Sequence, residues 1–192
     1  MNAIENLLII AGISLDIFAA MECQGSLVAK VDKKQLSMIC GLIAVWQMAA
    51  LFIGHYLSGL LYRHNMTRDE NFIGLVIAAA IFFGLGLRLI IKAIKNERVN
   101  EHREENLGLF RFLRMAVVTS IYTLLAGIAF GFLGTNLAVM LIMIVGLTVA
   151  VVITGMYTGY HFGFEHKTKA YVGGAVLLWI AGIDVIIRHI MC

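Results

Sequence analysis

The chain has 192 residues, of which 60% are hydrophobic and 14% charged, with a mean hydropathy of +0.88 and a formal net charge of +3. A soluble domain of this size carries about 25% charged residues, so this one would lack the polar surface to cover its core, and an integral membrane protein is the class that remains. Cys23, Cys40 and Cys192 show neither paired spacing nor a CxxC, and so give no sign of a disulfide framework or a zinc knuckle.

Six apolar segments follow one another, at 4–27, 35–62, 71–94, 110–132, 137–162 and 170–190. Each exceeds the roughly 20 residues that cross about 30 Å of hydrocarbon at about 1.5 Å per residue. The first is too long for a signal peptide and has no basic residue before Lys30. Barrel strands would alternate and be about half as long. The expected fold is therefore an all-α integral membrane protein with six transmembrane helices. No proline is present to break them.

Basic residues set the orientation. With the N-terminus outside, the inner side holds Lys30, Lys33, Lys34, Lys92, Lys95, Arg98, Arg103, Arg111, Arg114, Lys167 and Lys169. The outer side holds Arg63, Arg68 and Arg188, and Arg88 lies within the third segment. Eleven against three places both termini outside, in a multi-pass protein of the plasma membrane.

The charged stretch 96–109 divides the chain into 1–95 and 110–192. The two parts read as a repeat. "TSIYTLLAGIAFG" (119–131) matches "ISLDIFAAMECQG" (13–25), with Ser120 and Ser14 two residues before Tyr122 and Asp16. "FIGHYLSG" (52–59) matches "YTGYHFGF" (157–164), and "GLRLII" (86–91) matches "GIDVII" (182–187). Three helices per part is an odd number, so the second part must be inserted upside down. Two inverted three-helix repeats are the signature of secondary transporters, whose substrate site lies near the bilayer midplane.

The carboxylates mark that site. An Asp at the bilayer centre costs about 2.5–3.5 kcal/mol and usually belongs to an ion or proton path; Asp16 is midway along its segment. It either binds cargo or protons, or locks packing by bonding Ser14, Gln47 or Ser120. Cys23, Ala19 and Ala20 share its helical face; Cys23 is a soft ligand or a small filler. Gln47 is the amide near the middle of the second segment, a neutral ligand or a packing contact. Tyr122 stands at the repeat position of Asp16. Asp184 is a substitute acid or reaches interfacial water. Glu22 is about 120° around the helix from Asp16 and about 9 Å further inward. Arg88 lies at a matching depth, which predicts a structural ion pair between Glu22 and Arg88. Gly127, Gly131, Gly155, Gly159 and Gly163 recur every four residues and predict flat helix faces for close packing or a homodimer contact.

With its "SLDIFAA" motif, its degenerate copy beginning "TSIY", six spans and a charged central loop, the chain resembles the MntP-type manganese efflux pumps of the LysE superfamily. The resemblance covers most of the chain and implies divalent-cation efflux by a secondary mechanism, with Mn²⁺ as cargo and no cofactor. In that family both copies carry an acid and a further acid lies in the second helix. Here Asp16 matches the first, Tyr122 replaces the second, and Gln47 replaces the third. Hard dications prefer carboxylate oxygen, so a divergent member carrying another substrate, or a non-transporting scaffold, is the alternative. No nucleotide-binding loop, nucleophile elbow or sizeable soluble domain points to an enzyme, and nothing points to nucleic acid. The partners expected are the lipid bilayer and the transported ion.

Overall fold

The computed structural model describes residues 3–28, 31–63, 70–95, 109–163 and 165–190. They form six α-helices: α1 (Ala3–Ser26), α2 (Lys33–Arg63), α3 (Glu70–Lys95), α4 (Leu109–Phe132), α5 (Leu137–Phe162) and α6 (Lys167–Ile190). All six are long and apolar enough to cross a bilayer. Their outer faces carry large apolar side chains such as Ile94, Ile142 and Phe52, as a lipid-facing surface requires. The central linker expected at 96–109 lies outside the described residues except for Leu109.

Local chemistry sets the helix ends. The Asp32 carboxylate accepts the Lys34 N–H at 3.0 Å, opening α2, and Asn136 accepts the Ala138 N–H at 3.0 Å, opening α5. These are N-cap contacts for otherwise unpaired amides. Gly134 (φ 63°) makes the turn between α4 and α5. Gly163 (φ 71°) ends α5 and donates its N–H to the Gly159 carbonyl. A Cβ at Gly163 would touch nothing, so its expected place on a packing face is corrected. A left-handed residue stops a helix; it does not extend a stripe along it.

The helices pair across the two halves. The principal pairs are α2 with α4, α1 with α5, α3 with α6, α1 with α6, α2 with α5, α3 with α4, and α1 with α4. Each joins a helix of the first half to one of the second. Exchanging α1 with α4, α2 with α5 and α3 with α6 maps this set of pairs onto itself, which is compatible with an inverted repeat. The closest approaches follow the same exchange. In α2 and α4, a Cβ at Gly54 would collide with the Leu124 carbonyl, and one at Gly127 with the Leu51 carbonyl. In α5 and α1, a Cβ at Gly159 would collide with the Glu22 carbonyl, and one at Gly25 with the Met156 carbonyl. Small residues let these backbones meet. Gly25 thus corresponds in packing to Gly127, one turn before the Gly131 that sequence alignment set against it. Gly131 lies on Ser58 and Gly155 on Phe18, so these four expected glycines are spent inside the bundle.

The helix most enclosed is α1, with 61% of its span buried against 22% for α5. It carries Asp16 and Glu22 into the middle of the protein.

Candidate cation site

Asp16 stands midway along the α1 span Asn6–Ser26 and is 1% exposed. Its Oδ1 accepts a hydrogen bond from the Lys92 ammonium of α3 at 2.7 Å. Its Oδ2 has no hydrogen-bond partner among the described residues. Lys92 is only three residues from the end of α3, yet it reaches a mid-membrane carboxylate. Helical side chains lean toward the N-terminus of their helix, and that lean carries the lysine stem back into the bundle.

Aromatic rings surround the ammonium. Lys92 Nζ lies 4.6 Å from the ring centre of Tyr122 on α4 and 5.6 Å from that of Tyr171 on α6. The Arg88 guanidinium, one turn before Lys92, sits 4.9 Å from the Tyr122 ring centre. Such distances are those of cation–π contacts. Arg88 is also within electrostatic reach of Asp16. Ile13, Leu85, Leu89 and Leu178 complete the wall. The space left beside Asp16 is about 10 Å³, room for at most one water molecule. The site is closed in this conformation.

A second polar group lies between α2 and α4. Gln47, fully buried, donates from Nε2 to Thr119 Oγ1 at 3.3 Å and accepts from Thr123 Oγ1. Gln47 is thus committed to α4 and bonds neither Asp16 nor Ser14. Ser14 is buried without a hydrogen-bond partner among the described residues. Ser120 bonds its own helix, donating to the Ala116 and Val117 carbonyls. Of the three residues expected to lock Asp16, none does so; Lys92 takes that place.

The expected Glu22–Arg88 pair is corrected. Glu22 Oε1 accepts the His166 N–H at 2.8 Å, and the His166 ring Nδ1 is 3.6 Å away. Arg88 lies on Tyr122. Counting residues along the spans set the two charges at one depth, but they face different neighbours. Glu22 sits on the α1 side that packs on Gly159 of α5, whereas Arg88 faces α4. Cys23 lies near Lys167 and Glu22 at this end of α1 and is not among the residues around Asp16. Asp184, half-buried on α6, does not line the cavity beside Asp16.

Lys92, Tyr171, Thr119, Thr123 and His166 were not singled out by sequence reasoning. One signal for Lys92 was available. Arg88 and Lys92 are four residues apart in the apolar run "RLIIK", so they share a helix face. Among the described residues, no group of three or more His, Cys, Asp or Glu is placed to hold a metal ion.

The sequence model of the family described as "Putative manganese efflux pump" matches residues 30–186. The chain belongs to this family. Relatives carrying that name with the suffix MntP include one from Crocosphaera subtropica, 25% identical over 180 residues, covering 94% of this chain and 93% of the relative. Another, from Acetivibrio thermocellus, is 27% identical over 190 residues, covering 99% and 93%. A third, from Campylobacter jejuni, is 26% identical over 178 residues, covering 93% and 92%. No solved structure matches. Within the family frame, this chain puts one carboxylate, two cations and two tyrosines at the bundle centre.

Proposed function

We propose that the chain exports manganese or a similar divalent cation across the plasma membrane by a secondary mechanism, with Asp16 as the acidic ligand on the path. The observation that carries this reading is the Asp16 carboxylate, buried at mid-span with one oxygen held by a lysine and the other without a protein partner. A carboxylate in that place is costly and belongs to an ion path far more often than to packing. The family's description as a manganese efflux pump supports this cargo and direction.

The two three-helix halves, 1–95 and 110–192, work as inverted repeats around the midplane on this reading. Tyr122, from the second half, walls the cavity beside Asp16. The closed cavity requires the halves to move for an ion to enter, and the small-residue interfaces of α2 with α4 and α1 with α5 provide surfaces for that movement. Both termini lie outside. Moving Lys92 from the inner surface to the bundle interior leaves ten inner cations against three outer ones, so the bias is kept.

The test is cellular manganese content on expression of the chain. Wild type is expected to lower it. Asp16→Asn is expected to abolish the effect at equal membrane abundance, and Tyr122→Phe to preserve it. Full export by Asp16→Asn would remove Asp16 from the path.

A further inference from the structure

We infer that Lys92 is a tethered competitor of the transported cation: its ammonium occupies the cation position on Asp16 in the empty carrier and must swing away before a metal ion can bind. This rests on the export reading above.

Three observations converge on it. First, the ammonium sits 2.7 Å from Asp16 Oδ1, so a cation can share that oxygen only by displacing it. Second, the site holds one carboxylate beside two cations, Lys92 and Arg88. A divalent ion added to that set, with Lys92 still in place, would bring like charges together in a medium that screens them weakly. Metal binding and lysine occupancy are therefore mutually exclusive. Third, Lys92 has somewhere to go. Its side chain is 30% exposed while that of Asp16 is 2% exposed, so the stem has a free flank. Tyr171 offers a second aromatic face at 5.6 Å, on the α6 side. An ammonium displaced from the carboxylate can rest there as a cation–π partner.

The arrangement has a purpose in a transport cycle. A carrier that has released its ion must return with an empty site, and a bare buried carboxylate opposes that return. The lysine neutralises Asp16 during the return step. The cost is weaker binding of the cargo.

The experiment uses the full chain, purified in detergent and titrated with Mn²⁺ by calorimetry, then reconstituted in proteoliposomes. Lys92→Gln is expected to bind Mn²⁺ at least tenfold more tightly than wild type. Lys92→Arg, which keeps the charge, is expected to stay near wild type. In vesicles, Lys92→Gln should keep Mn²⁺-for-Mn²⁺ exchange but lose most net efflux, because only net efflux needs the empty return. Equal or weaker binding by Lys92→Gln, with wild type binding normally, overturns the competitor role and leaves the export reading standing. Absence of binding by wild type and variant alike, for Mn²⁺, Co²⁺, Zn²⁺ and Cd²⁺, sinks the export reading and the competitor with it. If Lys92→Gln does not fold, the wild-type chain decides. Mn²⁺ should then increase modification of Lys92 by a water-soluble amine reagent, read by mass spectrometry, and unchanged modification counts against the proposal.

Discussion

Gly127 offers a quantitative test of how the bundle is held together. A Cβ placed there would stand 2.6 Å from the Leu51 carbonyl oxygen and 3.2 Å from the Leu51 and Gly54 α-carbons. Ordinary contact begins at 3.4 Å, so the shortfall is 0.8 Å (3.4 less 2.6). All three neighbours are backbone atoms and cannot rotate away. Gly127→Ala must therefore part α4 from α2, and a gap of that order forfeits about a quarter to a half of each dispersion contact along the seam. Overpacking of this kind costs about 1–3 kcal/mol. Alanine also favours a helix over glycine by about 1 kcal/mol, which would mask part of the loss. Gly146 on α5 supplies the control, because a Cβ there would meet nothing within 4 Å. The difference between Gly127→Ala and Gly146→Ala cancels the helix preference and leaves about 1–3 kcal/mol. Unfolding by denaturing detergent in mixed micelles measures it. Equal stability of the two variants would refute the close α2–α4 seam.

Two further outcomes are expected. Glu22→Gln keeps an oxygen to accept the His166 N–H but loses the charge on it, so stability should fall by about 1 kcal/mol with export unchanged; a changed metal preference would instead place Glu22 on the ion path. On the proposed orientation, with the C-terminus outside, Cys192 in intact cells should react with a membrane-impermeant maleimide; labelling seen only after permeabilisation, and absent in Cys192→Ser, would reverse the orientation.

Much of the architecture was legible because it depends on one-dimensional quantities. Six apolar runs of bilayer length needed only counting, and Asp16 declared itself by being an acid at the middle of one. The glycine stripes at 127, 131, 155 and 159 were visible through their spacing. What failed depended on direction around a helix. Glu22 and Arg88 were matched in depth, but α1 turns Glu22 toward α5 and the start of α6, while α3 turns Arg88 toward Tyr122. Lys92 was assigned to the inner surface from the position of its Cα, whereas its side chain runs back toward the helix N-terminus. Gln47 could not be read as ligand or packing contact until Thr119 and Thr123 were seen to claim both ends of its amide. Gly163 fitted the spacing of a stripe that the helix had already left.

The pairing of helices across the halves bears on how the protein is made. When the ribosome has completed residue 108, α1, α2 and α3 exist but none of the seven principal helix pairs does. Three spans must wait in the lipid, side by side and unpacked, for the second half to be threaded among them. One contact need not wait. Asp16 and Lys92 both belong to the first half, so the most costly charge in the membrane can find its counter-ion before its helix finds a neighbour from the second half. The ion pair is then available to the nascent protein as well as to the finished carrier, guarding a half-built bundle against the expense of a lone carboxylate in oil.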